Sequence, residues 1–216
     1  MTTTLYSELV DEVQLFTESV PRATIIQFVR RACIALCKQS RVWKLRGSEG
    51  LVPGEDDICV ESWFNDAGST ERQLMGIEEL RYDGKPLTRR TEKQLKDMGN
   101  PFSGICAFYQ SSLHIVQLLN VPDAFYENDD FIEYNISVAP SETSTGMDTD
   151  LLNRYRGGIT AGAVGMLFAM PRKTWSNPQF SGQYMASFGA AITQATTDAK
   201  QEFGQRIIRV VRYGGI

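Results

Sequence analysis

The sequence predicts an α+β fold in which helical pairs from both ends of the chain form a four-helix unit, a small antiparallel β-domain is inserted between them, and an extended tail follows. Three observations lead to this prediction. Apolar residues recur at spacings of three and four near both ends of the 216-residue chain. Between these regions, short alternating apolar runs are separated by turn signals about every ten residues. Helices and strands segregated along a chain in this way are typical of the α+β class.

The composition is that of an ordinary globular protein and argues against two classes of partner. Apolar residues make up 42% of the chain, charged residues make up 22%, and the net charge is −4. An acidic chain does not bind nucleic acid over its whole surface, because the phosphates repel it. The longest apolar run, residues 159–170, is too short and too rich in glycine to cross a membrane. We therefore expect no membrane partner.

Residues 1–42 are predicted to form a pair of helices. Pro21 ends the first helix and suits the first turn of the second. The apolar face of the first helix comprises Leu5, Leu9, Val13, Phe16 and Val20. That of the second comprises Ile25, Phe28, Val29, Ala32, Cys33, Leu36 and Cys37. Both faces keep the three-and-four spacing of an amphipathic helix.

Residues 43–140 are predicted to form the inserted β-domain. Asp83-Gly84 has the signature of a two-residue hairpin turn. Thr91 is placed to cap a short helix over residues 91–98. The predicted strands lie around residues 45–52, 57–63, 73–82, 103–110, 113–119 and 131–138.

Residues 141–204 are predicted to return the chain to the helical unit through a polar linker and two further helices. Asp148 or Asp150 can cap the first of these helices. Both helices carry small residues three or four positions apart, which indicates close backbone packing within the chain or between subunits. The candidate residues for helix packing or oligomer contacts are Gly158, Gly162, Gly165, Gly182, Ala186 and Gly189.

Residues 205–216 are predicted to form the extended tail. Arginines alternate there with apolar, β-prone residues, and no acidic residue follows Glu202. Such a segment is prone to aggregate when left free, so we expect it to dock on a partner. Packing on its own fold and contact with nucleic acid are the alternatives. The residues predicted to dock are Arg206, Ile207, Ile208, Arg209, Val210, Val211, Arg212, Tyr213 and Ile216.

The patterns of catalytic and metal sites are missing from the sequence. His114 is the single histidine, and no nucleophile motif accompanies it. Cys33 and Cys37 lie four residues apart on a helix, but Cys59 and Cys106 are too isolated to complete a metal site. No targeting segment is visible, so we expect the cysteines to be reduced and structural. The sequence thus predicts no enzymatic activity, no cofactor and no metal.

Three segments of the sequence carry a family resemblance. Residues 32–43 end a helix with a Cys, polar residues and Trp43, and residues 77–87 read as strand, turn and strand. Residues 159–171 form a glycine-rich helix that ends at a proline, and Trp175-Ser176-Asn177-Pro178 leads into another helix. In this order and spacing, the segments resemble the head-to-tail connector (adaptor) proteins of tailed bacteriophages. That group includes tail tubular protein A and gatekeeper-like neck proteins.

The resemblance implies a structural virion protein. Connector proteins form a ring, commonly a dodecamer, which joins the portal to the tail and extends the DNA channel for genome retention and ejection. The implied partners are the portal protein, a downstream tail or nozzle protein, further copies of the chain, and double-stranded DNA that passes without specific binding. The implied location is the virion neck, after assembly in the host cytoplasm. The C-terminal segment of the family often docks on the portal, which agrees with the interpretation of residues 206–216.

The loops of the β-domain are the candidates for contact with the tail. The acidic turns at residues 55–57 and 127–130 lack the ligand spacing and central glycine of a calcium loop. They are therefore expected to be solvated. The candidate tail-contacting residues are Asp56, Asp57, Asp66, Asp83, Asp129 and Asp130.

Two other functions are compatible with the sequence. The first is that of a different phage structural protein, such as a head-completion or tail-terminator protein. The second is that of a soluble hydrolase that uses Asp and Glu pairs from the β-domain, which would require a deep pocket with convergent acidic groups.

Overall fold

A computed structural model describes residues 3–51, 56–64, 71–94, 107–112, 115–118 and 131–209 of the chain, with side chains up to residue 201. Residue contacts divide the chain into two compact units. The helical unit comprises Met1–Trp43 and Ala139–Ile216, and the β unit comprises Lys44–Val138. The β unit occupies nearly the range 43–140 predicted for the insertion. Helices and strands are segregated along the chain, and the α+β class is confirmed.

The helical unit is built around three longer helices. With strands and helices numbered along the whole chain, its elements are β1 (Thr3–Leu5), a 3-10 helix (Tyr6–Leu9), α1 (Val10–Gln14), α2 (Arg22–Ser40), β10 (Gly146–Asp148), α3 (Thr149–Arg154), α4 (Arg156–Phe168) and α5 (Pro178–Arg209). Helices α2, α4 and α5 contact one another and enclose much of the core. Among the described helices, none combines the length and apolar character that a membrane crossing requires.

The prediction of one long first helix is wrong. Residues 3–5 pair antiparallel with β10, and α1 ends at Gln14. The Thr17 hydroxyl donates to the carbonyl of Val13, which satisfies an acceptor at the end of α1. Phe16 then lies exposed instead of continuing the apolar face, as does its neighbour Leu15. The strand pairing and this local hydrogen bond override the helical periodicity.

The apolar face predicted for α2 is buried as expected. Each of its larger apolar side chains, such as Ile25, Phe28 and Leu36, stabilises the fold by about 1.5–3 kcal/mol when it leaves water. The helix ends where Arg41 adopts a left-handed conformation, with φ of 53°, and its N–H donates to the carbonyl of Cys37.

The described residues of the β unit form two four-stranded sheets with the orders β2-β9-β4-β5 and β3-β8-β7-β6. Their strands are β2 (Lys44–Gly50), β3 (Asp57–Cys59), β4 (Arg72–Tyr82), β5 (Lys85–Pro86), β6 (Thr88–Arg89), β7 (Ala107–Gln110), β8 (Ile115–Leu118) and β9 (Phe131–Pro140), with a 3-10 helix at Val60–Trp63. Strand β9 runs from this unit into the helical unit.

Two local signals of the β unit are confirmed. Asp83 and Gly84 both have positive φ, 50° and 67°, and connect β4 to β5 as a two-residue turn. Thr91 and Gln94 form a capping box: each side chain accepts from the backbone N–H of the other residue. The helix predicted over residues 91–98 is described only for residues 92–94.

Two predictions for the β unit are wrong. Strands β6 and β7 pair in parallel, so the domain is not purely antiparallel. The long connection between Arg89 and Ala107 permits this pairing, because parallel neighbours require a crossover of about a dozen residues or more. The strand predicted over residues 57–63 ends at Cys59, and a 3-10 turn then places the indole of Trp63 parallel to the Tyr134 ring, with centroids 4.4 Å apart.

Candidate functional site

The closing hairpin of α4 and α5 is held together by contacts that only glycine permits. A Cβ added at Gly158 would lie 2.3 Å from the Cβ of Ala191, and one at Gly162 would lie 2.8 Å from the Phe188 ring. At Gly165 the nearest atom would be the sulfur of Met185, at 2.9 Å. All three distances are shorter than van der Waals contact. The glycine face of α4 therefore lets larger residues of α5 approach the helix backbone.

The small residues predicted on α5 have a different environment. Gly182, Ala186 and Gly189 are exposed. A Cβ added at Gly182 or Gly189 would meet nothing within 4 Å. The two small faces thus do not pack on each other, because Phe188 and Met185 fill the space over the α4 glycines. The face on α5 is left as the candidate for a contact outside the chain.

The turn of the hairpin is fixed by the residues of the Trp-Ser-Asn-Pro motif. The side chain of Asn177 accepts from the N–H of Phe180, and Pro178 occupies the first position of α5. The backbone N–H of Asn177 donates to the carbonyl of Phe168 at the end of α4. Ser181 closes the same end by donating to the carbonyl of Gly165 at 2.8 Å. The motif therefore joins α4 to α5 and provides hydrogen-bond partners for backbone groups at the end of α4 and the start of α5.

A buried carboxylate ties the start of the hairpin to α5. Oδ2 of Asp198 accepts a 2.7 Å hydrogen bond from the Tyr155 hydroxyl, and Oδ1 accepts a 2.8 Å bond from Gln194. Arg154 lies 3.2 Å from the same Oδ2. The Tyr155 hydrogen bond, helped by Gln194 and the charge of Arg154, lowers the pKa of Asp198 against the opposing effect of burial. Asp198 therefore stays ionised and structural.

Sequence reasoning missed Asp198, although a signal was present. It is the only charged residue between Pro178 and Ala199. A lone carboxylate in a long uncharged helical stretch is costly to bury unless partners surround it.

The short α1 helix is tied to the hairpin by a second carboxylate. Glu12 accepts from Nε of Arg156 and from the Thr160 hydroxyl, both on α4. The ion pair is partly exposed, so its direct contribution to stability is small. It fixes the position of the chain that leads to Leu15 and Phe16.

Aromatic rings form an exposed cluster on the helical unit. The rings of Phe16 and Tyr184 meet edge to face at 5.6 Å, and Tyr184 meets Phe168 at 5.8 Å. Phe180 extends the row, 6.3 Å from Phe168. Phe16 and Phe180 are each about half exposed, so the cluster presents large apolar groups to solvent. The sequence pattern had placed Phe16 on a buried helix face.

The acidic residues predicted to meet the tail lie on separate elements where they are described. Asp56 and Asp57 are exposed at β3, and Asp83 occupies the β4–β5 turn with Lys85 at 3.7 Å. Asp66, Asp129, Asp130 and His114 lie outside the described residues. Within the described ranges, no group of three or more His, Cys, Asp or Glu residues is placed to hold a metal ion.

The segment predicted to dock is partly helical instead of extended. Helix α5 runs to Arg209, so residues 205–209 continue the helix, while residues 210–216 lie outside the described part of the chain. Gln205, Arg206 and Arg209 are good helix formers, and no proline interrupts them. The helix propensity of these residues outweighs the strand preference of the β-branched Ile207 and Ile208.

The two cysteines of α2 are expected to resist alkylation in the folded protein, whereas Cys59 reacts. Both are buried, which raises the pKa of the Cys37 thiol to about 12 and that of Cys33 well above its usual value. Few thiolates then form at pH 8, and the reagent has no access. Iodoacetamide labelling followed by peptide mass mapping measures this difference. Unfolding in urea should make all four thiols of the chain reactive, and equal labelling of Cys33, Cys37 and Cys59 without urea would contradict the buried assignment.

Neither the known protein-family models nor the curated proteins compared with this chain give a match.

Proposed function

We propose that the chain is a structural protein of a phage neck, which forms a ring between portal and tail and extends the DNA channel. The closing hairpin carries the proposal. A glycine-rich helix, a proline, a Trp-Ser-Asn-Pro turn and a long helix follow in the order that resembles connector proteins. The α4 glycines also have a defined packing role against α5, and Asn177 has one at the turn.

The four-helix unit is retained in this proposal with the short α1 as its fourth helix. Helix α1 contacts α2 and α4, while α2, α4 and α5 contact one another. Such a unit brings both ends of the chain into one body, and the loops of the β unit are the proposed contacts for a second partner.

The proposed partners are the portal protein, a downstream tail or nozzle protein and further copies of the chain. Residues 206–216 dock on the portal, and the acidic loops at Asp56, Asp57 and Asp83 are candidates for the tail side. DNA passes through the ring without specific binding. A net charge of −4 supports this, because each cationic contact with a phosphate would hold the DNA more tightly.

A structural role is proposed in preference to catalysis because the chemically notable groups of the described residues have packing roles. Asp198 accepts from Tyr155 and Gln194, and Cys33 and Cys37 are buried in the helical core. A hydrolase would need convergent acidic groups with perturbed pKa values in one pocket. Asp56, Asp57 and Asp83 of the β unit are exposed.

The portal-docking part of the proposal is tested by co-sedimentation of the full chain with the portal protein. Replacing Arg206, Arg209 and Arg212 by Glu should reduce binding at least tenfold while the circular dichroism spectrum is retained. Lys200→Glu is the matched control, an exposed cation on the same helix but outside the segment. Undiminished binding by the triple variant would exclude these arginines as the docking contacts.

The location is tested separately by immunogold labelling of virions. Gold at the portal vertex supports a neck protein. Gold at the distal tail would instead favour the tail-terminator alternative, and unlabelled virions would contradict a virion protein of either kind.

A further inference from the structure

The exposed aromatic cluster leaves a large apolar area open to solvent. Leu15 is 77% exposed, Phe16 49%, Phe180 48% and Met185 38%. Half of an aromatic side chain amounts to about 100 Å², so four side chains of this size present about 400 Å². The largest exposed apolar patch of a typical monomer covers about 300–600 Å² and is often functional. The cluster is therefore a candidate for contact with another molecule.

Two exposed side chains of opposite charge border the cluster. Glu18 follows Phe16 by two residues in the chain. Arg172 lies in the turn between α4 and α5, whose two ends meet where the N–H of Asn177 donates to the carbonyl of Phe168. No hydrogen bond or ion pair engages Glu18 or Arg172 among the residues that the structure describes.

The other charged groups of these two segments already have partners within the chain. The carboxylates of the α1 region are engaged as follows: Glu8 accepts from the N–H of Leu5, Asp11 pairs with Arg22, and Glu12 pairs with Arg156. Lys173 lies over the Trp175 ring, 5.7 Å from its centroid. Glu18 and Arg172 are thus the charges with which the cluster can recognise a partner.

These two charges lie at opposite ends of the row of rings. Ring contacts run from Phe16 through Tyr184 to Phe168. Glu18 stands beside the Phe16 end, and Arg172 belongs to the turn that follows Phe168. A two-fold axis through the middle of the row therefore brings Glu18 of one copy toward Arg172 of the other, and the same pair forms again on the opposite side. The surface is complementary to itself in charge.

We infer that two copies of the chain form a two-fold dimer in which their exposed aromatic clusters cover each other. The rings fill the centre of the contact and the Glu18–Arg172 pairs lie at its rim, which is the usual distribution of apolar and charged groups in an interface. A two-fold contact closes on itself and does not extend into a ring. The dimer is therefore a state of the free chain, and the inference does not rest on the proposed neck function.

The area of the contact predicts a weak and reversible dimer. Two copies together remove about 800 Å² of these side chains from water. Interfaces below about 1,200 Å² belong to weak and transient complexes, so we expect a Kd on the order of 10–100 µM. Sedimentation velocity of the full chain without portal should show monomers at about 1 µM and dimers at about 1 mM.

Charge reversal tests the predicted ion pairs. Glu18→Arg sets two cations against each other at both ends of the contact, and Arg172→Glu sets two carboxylates against each other. Each variant alone should dimerise at least tenfold more weakly than the unmodified chain. An equimolar mixture of the two should recover the dimer, because every charge of one variant then meets the opposite charge on the other. Lys38→Glu, at an exposed position of α2, is the matched control and should dimerise as the unmodified chain does.

A substitution of a ring tests the apolar centre. Phe16→Glu should weaken dimerisation at least tenfold, whereas Phe131→Glu, at a 46% exposed position of the β unit, should change it less than twofold. All variants should keep the circular dichroism spectrum of the unmodified chain, so that a loss reports on the contact. Raising NaCl from about 0.05 to 0.5 M should weaken the unmodified dimer severalfold, because salt screens the rim pairs.

An unmodified chain that stays monomeric at the highest concentration, a mixture of the charge variants that does not recover the dimer, or an equal loss with Phe131→Glu would each overturn the inference. Species larger than a dimer in the mixture would also overturn it, because a head-to-tail contact continues through further copies. None of these measurements uses portal or virions. The neck function can therefore fail in the co-sedimentation and immunogold experiments while this contact stands, and the reverse also holds.

Discussion

Gly158→Ala is expected to lower the free energy of unfolding by about 1–3 kcal/mol, because the new methyl group overpacks the α4–α5 contact. The added Cβ would lie 2.3 Å from the Cβ of Ala191, far inside van der Waals contact. Ala191 has no side-chain torsion with which to move away, so one of the helix backbones must shift. Urea denaturation followed by circular dichroism measures the loss.

The neighbouring glycine supplies the control for this prediction. Nothing lies within 4 Å of a Cβ added at Gly157, so Gly157→Ala should leave stability unchanged or raise it by up to about 1 kcal/mol through helix propensity. Combining Gly158→Ala with Ala191→Gly moves the methyl group to the other helix and should recover most of the lost stability. Equal effects of the two single alanine variants would contradict the packing described for α4.

Asp198→Asn is expected to lower the free energy of unfolding at pH 7 by about 2–4 kcal/mol, because it replaces a buried carboxylate that holds several donors. The Tyr155 hydroxyl and the Gln194 amide both donate to this carboxylate, and Arg154 adds its charge. In the variant, an NH2 group replaces one of the two accepting oxygens, so a donor faces another donor. The neutral side chain also forms no ion pair with Arg154. Asp150→Asn, at an exposed position of α3, should have a much smaller effect.

The loss caused by Asp198→Asn should depend on pH in a defined direction. The pKa of Asp198 is lowered in the folded chain, chiefly by the Tyr155 hydrogen bond. The stabilisation is therefore fully present above the unfolded pKa, about 3.9, and is lost as the pH falls through the folded value. Urea unfolding measures the free energy of unfolding of the unmodified chain and of Asp198→Asn between pH 7 and pH 3. The difference between the two values should be constant near pH 7 and should shrink below about pH 4. A difference that grows toward acid pH would contradict the ionised assignment.

Local sequence determines the parts of this protein whose partners lie a few residues away. Asp83-Gly84 specifies a two-residue turn because both residues tolerate positive φ. Asp148 caps α3 by accepting from the N–H of Leu151, and Asn177 caps α5 in the same way. The buried face of α2 likewise follows from its own periodicity.

The candidate interaction surface could be predicted only in part. The composition of residues 206–216 identified a segment that seeks a partner, but its periodicity suggested a strand where α5 continues to Arg209. The exposed aromatic cluster left no clear signal, because Phe16 fits the apolar spacing of a longer helix. Whether that helix continues depends on the pairing of residues 3–5 with β10, far away in the chain.

The tertiary structure alone decides which distant residues meet. It places Phe188 over Gly162 and Met185 over Gly165 and leaves Gly182 and Gly189 open, although these four glycines look alike in sequence. It also brings Asp198 to Tyr155 and pairs β6 with β7 in parallel. Capping, turn geometry and helix periodicity act over a few residues and can be read from the chain. Packing partners, buried ion networks and strand neighbours are set by the free energy of contacts between residues far apart in sequence, which no local pattern encodes.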